Sequence, residues 1–150
     1  MKKNLIVFFL TIGSFVCYSQ EIKWMTFNDA IEAQKKDPKP IFMDVYTDWC
    51  GPCKLLDKNT FHDASVVELI NKKYYAVKFN GEGTDTVNYK GTVFTNPKHN
   101  PQSKGRNAVH EFTTFLKLRG YPSMYIFDSK GEIKSPIVGY LTPEQLLPQL

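Results

Sequence analysis

Cys50 and Cys53 stand three positions apart, separated by Gly51 and Pro52, where an apolar run ends and a helix-forming one begins. On the first turn of a helix that spacing brings both sulfurs to one side, close enough for a disulfide or for two bonds to one metal ion. Unpaired backbone N–H groups at a helix start favour negative charge, so a thiolate at Cys50 is stabilised there. Pro52 suits a first turn, where its missing N–H costs nothing. Such a thiolate attacks a disulfide in another molecule, and the second thiol then attacks the mixed disulfide and frees the reduced partner. The competing chemistry is a zinc or copper site, but structural zinc needs four ligands. Only His62, His99 and His110 could join the pair, and they are scattered. His62 follows Phe61 at a helix break, His99 sits in a loop, and His110 is expected on the solvent side of its helix beside a core-facing Val109. Sulfur exchange is the better reading, and no metal is expected.

Two charged residues interrupt otherwise apolar runs: Asp44 within Ile41–Tyr46 and Lys78 within Tyr74–Asn80. A carboxylate is costly to bury unless it is protonated or paired, so the Asp44 pKa should rise. Poised near neutrality, it could take the Cys53 proton through a water. The plain alternative is a strand-end aspartate that reaches solvent.

The elements that must position these groups follow from pattern. Asn28 caps a short helix running to about Lys36, stopped by Pro38 and Pro40. Ile41–Tyr46 reads as a buried strand, and Trp49–Asn59 as a turn entering a helix with Leu55 and Leu56 on its inner face. Asp63 caps a stretch carrying Val66, Val67, Leu69 and Ile70, and Tyr74–Asn80 is a second strand. From 81 to about 106, glycine, asparagine, proline and lysine dominate, which reads as a long loop. Val109, Phe112, Phe115 and Leu116 recur at helical spacing, with Gly120 a natural stop after Arg119. Ser123–Phe127 and Ile133–Val138 flank Asp128-Ser129-Lys130-Gly131 as a hairpin, and Thr142-Pro143-Glu144-Gln145 opens a last helix with a capping box. Strands joined through a helical crossover lie parallel and a hairpin adds an antiparallel pair, giving an α/β sandwich with a mixed central sheet.

The first residues read differently. Lys2 and Lys3 precede an apolar run from Leu5 to Val16, then Cys17-Tyr18-Ser19-Gln20. That is the pattern of a secretory signal peptide cleaved after Ser19, leaving a domain of residues 20–150. A lipidated Cys17 and an uncleaved anchor are the rival readings; Val16 is not the small residue that lipidation wants before the cysteine. Removing Lys2 and Lys3 takes two charges from the formal +4, so the basicity comes half from this segment and nucleic acid is not implied. Of three cysteines only Cys50 and Cys53 then remain, too few for a disulfide framework in an exported protein.

The stretch Asp44-Val45-Tyr46-Thr47-Asp48-Trp49-Cys50-Gly51-Pro52-Cys53-Lys54 resembles the active-site strand and turn of the thioredoxin family. The resemblance continues in Val77-Lys78-Phe79-Asn80, in Arg119-Gly120-Tyr121-Pro122-Ser123 and in Gly139. It covers nearly all of the chain after the signal segment except the loop, and it is similar to exported members such as the C-terminal domain of DsbD-type reductases. It implies a thioredoxin fold, a mixed sheet flanked by helices, with the inserted loop before the helix that leads to a cis-proline. It implies Cys50 as the attacking cysteine, Cys53 as the resolving one and a redox disulfide between them. Asp44 would be the buried carboxylate behind Cys53, with Lys78 its charged neighbour. Trp49, Gly51, Pro52, Tyr121 and Pro122 would meet the substrate, Pro122 through a cis peptide bond and Tyr121 through its backbone.

The function this implies is a periplasmic or secreted thiol–disulfide oxidoreductase that reduces protein disulfides. It would work without a cofactor, as a monomer, and would be recharged by a membrane or periplasmic thiol donor. An oxidase or isomerase of the same fold is the nearest alternative, and a non-catalytic binding or metallochaperone module the more distant one. Two departures stand out. Tyr46 and Tyr121 occupy places where thioredoxins commonly carry tryptophan and isoleucine. The loop also carries Lys90, Lys98, Lys104 and Arg106 against Glu82 and Asp85, a mildly basic lip expected near Cys50.

Overall fold

Alternation along two neighbouring strands decides which side of the sheet each residue serves. The computed structural model describes residues 21–134 and 136–150; the stretch read as a signal peptide, with Cys17, lies outside the described residues. In chain order the elements are β1 (Trp24–Met25), α1 (Phe27–Lys36), β2 (Ile41–Tyr46), α2 (Gly51–Asn59), α3 (Ala64–Lys73) and β3 (Tyr75–Asn80). They continue with β4 (Val87–Tyr89), β5 (Thr92–Phe94), α4 (Glu111–Phe115), β6 (Ser123–Phe127), β7 (Ile137–Val138), α5 (Pro143–Leu146) and a closing 3₁₀ turn, Leu147–Gln149. The main sheet runs β1-β3-β2-β6-β7, parallel among the first three strands and antiparallel beyond β2. The fold is therefore the mixed α/β sandwich, a thioredoxin-like architecture.

Because side chains alternate across a strand, Ile41, Met43 and Val45 enter one core with Phe27, Val77, Phe79, Phe112 and Phe127. Phe42 enters the other, with Leu56, Val66, Ile70, Ala76 and Met124 beneath α2 and α3. Asp44 shares parity with Phe42, and Lys78 with Ala76. The register sets Asp44 opposite Lys78. Both charged groups thus project into the layer that α2 covers.

Several expectations need correction. Thr26, not Asn28, caps α1, accepting from the Asp29 N–H. Asn28 instead bonds the insertion: its amide donates to the Thr86 carbonyl at 2.9 Å, and its oxygen accepts from the Asn88 N–H at 2.8 Å. Leu55 is half exposed, so of the two leucines only Leu56 lies on the inner face of α2, together with Cys53. β1, only two residues long, was not anticipated.

The stretch 81–106 is not a featureless loop. It holds an antiparallel hairpin, β4–β5, turning at Lys90 and Gly91, both with positive φ as a two-residue hairpin turn requires. Val87 and Tyr89 are buried in the Phe27 core, and Phe94 packs on Phe112 and Phe115.

The helix expected through Arg119 is a single short turn-and-a-half, ending at Phe115 with Leu116 as its C-cap and Lys117 left-handed. Val109 precedes its cap and is exposed, and Phe115 is half exposed. His110, expected at the surface, is fully buried as that cap. Its Nδ1 accepts from the Phe112 N–H at 3.0 Å, which leaves Nε2 to donate to the Asp85 carbonyl at 2.6 Å. A ring satisfied at both nitrogens can be buried at low cost.

Asp63 caps α3 as expected. The Asp128 turn closes on its own carboxylate, which accepts from the Lys130 and Glu132 N–H groups. β7 is shorter than expected, pairing only Val138 with Ser123 and Ile137 with Met124.

Candidate active site

β2 delivers the chain to the cysteines. Cys50 caps α2, and the two sulfurs are bonded at 2.07 Å with Cα atoms 5.3 Å apart. The Cys53 N–H points at Cys50 Sγ, 3.2 Å away. This is the orphan donor of a helix first turn satisfied by sulfur, and it would stabilise a thiolate there. Both cysteines are almost wholly buried, while Gly51 and Pro52 are exposed. Pairing of Val45 with Ser123 places Pro122 one step beyond β6, at the end of the sheet where β2 runs on to Cys50. The Tyr121–Pro122 peptide bond is cis.

Beneath α2, Lys78 Nζ lies 2.9 Å from Asp44 Oδ2 and also binds Asp57. The rings of Trp24, Tyr46 and Phe61 each stand about 5 Å from the same ammonium. Burial outweighs the lysine: Asp44 is pushed up to about 6, with Lys78 opposing the rise and Asp57 adding to it. Burial alone would lower the Lys78 pKa, but Asp44 and Asp57 overcome it and raise that pKa. Asp44 Oδ1 has no hydrogen-bond partner in the protein. An unpaired oxygen on a carboxylate that titrates near neutrality is suited to receive a proton.

Trp49 sits at the lip of the site, half buried. Its indole N–H donates to Glu82 Oε2 at 2.8 Å, its ring meets Tyr121 edge-on at 5.7 Å, and the Arg106 guanidinium lies over it at 4.3 Å. The same Glu82 oxygen accepts from the Asn107 N–H at 2.7 Å. One buried carboxylate therefore ties the tryptophan to the far end of the insertion. Burial and the Glu82 charge push the Tyr121 hydroxyl up to about 12.

The anticipated residues thus fall into three groups: the Cys50–Cys53 bond with Gly51 and Pro52, the Asp44–Lys78 pair, and Trp49 against Tyr121-Pro122. Lys90 leaves the expected basic lip altogether, bound at 2.6 Å to Glu132 across the molecule. Asp57 and Glu82 were missed as members. Asp57 follows Cys53 by four positions, a spacing that shares a helix face and could have pointed to it. No group of three or more metal-ligating side chains gathers among the described residues. His99 Nδ1 instead meets the Glu82 carbonyl, and His62 Nδ1 the Asp57 carbonyl.

A disulfide-linked pair at a strand-to-helix turn, on this sheet topology, marks the thioredoxin-like class. The family model described as a thioredoxin-like domain matches residues 27–150, and the chain belongs to that family.

Among named relatives, the thiol:disulfide interchange protein DsbD of Campylobacter jejuni (strain RM1221) is 29% identical over 112 residues. That match takes in 75% of this chain and 16% of the relative, so the chain spans about a sixth of that protein's length. A solution structure from Bacteroides thetaiotaomicron, named as a candidate disulphide-isomerase, is 25% identical at a TM-score of 0.60, covering 87% of this chain and 92% of that one. The C-terminal domain of Neisseria meningitidis DsbD, solved in its oxidised form, is 19% identical at a TM-score of 0.52, covering 84% and 95%. It shares the fold.

Proposed function

We propose that this chain is a thiol–disulfide oxidoreductase that reduces protein disulfides outside the cytoplasm. The observation that carries the reading is the Cys50–Cys53 bond at the first turn of α2, the helix that also covers the buried Asp44–Lys78 pair. In the reduced enzyme the Cys50 thiolate attacks one sulfur of a partner's disulfide. A Cys50–partner disulfide forms, and the first partner thiolate leaves and takes a proton. Cys53 then gives its proton to Asp44 through a water and attacks Cys50 Sγ. This restores the Cys50–Cys53 bond and releases the second partner thiolate, so two electrons have passed to the partner.

Lys78 keeps the Asp44 carboxylate from becoming too strong a base, and Trp49 shields the sulfurs while touching substrate. Gly51, Pro52, Tyr121 and Pro122 form the platform on which the partner strand lies. Restoring the dithiol needs a thiol donor in the membrane or periplasm. The basic, apolar opening segment supports export. Among the described residues no helix is long and apolar enough to cross a membrane. The relatives named for disulfide interchange support the redox chemistry.

The test combines reduction of insulin disulfides, trapping of mixed disulfides with Cys53→Ser, and the equilibrium potential of the pair. Turnover lost on Cys50→Ser, trapped extracytoplasmic proteins, and a potential near about −270 mV are expected. A potential near about −120 mV would make it an oxidant and overturn the direction proposed. Unchanged partner capture by Cys50→Ser would make it a binding module.

A further inference from the structure

We infer that a cationic groove beside the redox centre selects partners whose reactive cysteine is flanked by acidic residues; this deepens the reading of the chain as a protein-disulfide oxidoreductase and rests on it. The groove, a cavity of about 390 Å³, is lined among others by Val109, Thr113, Thr114, Lys117, Arg119 and Tyr121. It follows the segment that leads into the cis Tyr121–Pro122 bond, so a partner strand laid along Tyr121 continues past Arg119 and Lys117. Arg106 adds a third cation at the adjoining lip, held over Trp49 at 4.3 Å. Its backbone is fixed as well: the Ser103 hydroxyl donates to the Arg106 carbonyl, and the next N–H, of Asn107, is bound to Glu82.

These three cations are exposed and make no ion pair among the described residues, Arg106 resting only on the Trp49 ring. The ion pairs of the described residues use Lys35, Lys78, Lys90 and Lys134, and none involves Arg106, Lys117 or Arg119. The acids nearby are already engaged. Glu82 is buried, with Trp49 and Asn107 on its Oε2. Glu111 Oε2 accepts from the Thr95 N–H and hydroxyl, and Asp48 accepts from the Asn80 amide. Neutral donors leave these carboxylates charged, but none pairs with Arg106, Lys117 or Arg119, so the exposed cations are open to meet a negative partner directly and disfavour a positive one. The chemistry of Cys50 requires that the partner carry a disulfide, which makes it a protein segment. The exposed Val109 in the wall of the groove gives an aliphatic side chain of that segment a contact.

The test uses three disulfide peptides of one scaffold, with two glutamates, two serines or two lysines flanking the reactive cysteine. Dithiothreitol regenerates the enzyme dithiol. For the unmodified chain, kcat/KM should fall from the glutamate to the serine to the lysine peptide, by roughly three- to tenfold at each step at low salt. The spread should collapse as added salt shortens the screening length from about 30 Å at 0.01 M to about 3 Å at 1 M. In Arg106→Glu/Arg119→Glu the order should invert. Each ratio is taken within one variant, so a general loss of activity does not mimic the result, and circular dichroism checks that the variant is folded. Equal turnover of all three peptides, or an order unchanged in the double variant, overturns the groove while leaving the oxidoreductase reading intact. Failure to reduce any peptide or insulin overturns that reading itself.

Discussion

Asp44→Asn sets two large opposing effects against each other at one atom pair. The carboxylate is fully buried and titrates at about 6 instead of the ordinary 3.8. At about 1.4 kcal/mol per pKa unit, its ionised form costs the fold about 3 kcal/mol relative to the unfolded chain. The sign follows from proton counts. Between pH 3.8 and about 6 the folded state holds the proton that the unfolded state has released. Stability contributed by this group is therefore fully present below that window, falls as pH rises through it, and stays low above it.

Asparagine removes the ionisation and with it the window. Removing one partner of a buried ion pair, however, can itself cost about 3–5 kcal/mol when a charge is stranded. Here Lys78 is not stranded, because it keeps Asp57 and its side chain is partly exposed. Burial should win. Urea denaturation of the disulfide-linked protein should find Asp44→Asn more stable than the unmodified chain by about 1–3 kcal/mol at pH 8, with the gap closing towards pH 4. Single-turnover resolution of a Cys50-linked mixed disulfide should meanwhile slow by about 100-fold at pH 7, the scale of a lost general base. A variant less stable than its parent at pH 8 would show that the ion pair outweighs desolvation. A resolution rate unchanged at pH 7 would remove Asp44 from the chemistry.

Three further perturbations follow from the same geometry. Asp57→Asn removes a negative charge that raises the Asp44 pKa and leaves Lys78 to Asp44 alone; the carboxyl carbon of Asp44, followed by NMR, should titrate at lower pH, and an upward move would refute the triad. Glu82→Gln replaces a charge-assisted acceptor for Trp49 and Asn107 with a neutral one, a loss of about 1–2 kcal/mol in urea denaturation. The same change removes a charge that raises the Tyr121 pKa, so absorbance titration of that phenol should shift down. Gly81→Ala would place a Cβ 2.6 Å from the Tyr121 hydroxyl oxygen. The ring must swing off Trp49, which should cost about 1–3 kcal/mol and alter near-ultraviolet circular dichroism; an unaltered spectrum would show the ring is not held there.

What could be read from sequence was what short-range chemistry dictates. The cysteine spacing, the proline at a first turn and the two charges inside apolar strands each carry their reason within a few residues. Strand parity even sends Asp44 and Lys78 to one face once β2 and β3 are known to be neighbours. Long-range partners left no such trace. Glu82 reads as a loop acid until the fold brings Trp49 to it across 33 positions of sequence. The hairpin β4–β5 escaped because its strands are three residues each and lie among glycine, asparagine and lysine. Val87-Asn88-Tyr89 and Thr92-Val93-Phe94 around Lys90-Gly91 nonetheless carry the alternation and turn that mark a hairpin. Val109 matched a helical period yet lies exposed, because buried His110 starts the helix after it, and left-handed Lys117 ends that helix well before Gly120.

These corrections change what the insertion is. A long surface loop is cheap in free energy and free to vary when nothing holds it. This one is anchored through its middle and closed at both ends. Tyr89 and Phe94 pack on Phe112, and Tyr89 also meets Phe27 and Phe127. Buried Asn96 donates to the carbonyls of Glu82, Gly83 and Ala108, closing the segment on itself. Its last turn reaches Trp49 through Arg106 and Asn107. A side chain held this way loses less freedom when a partner docks, so more of each contact becomes affinity. Trp49, beside the sulfurs, and Asn107, next to Arg106, share one buried carboxylate, so Glu82→Gln should narrow the spread of kcat/KM among the acidic, neutral and basic peptides, whereas a substitution at Lys90, bound to Glu132, should leave it unchanged.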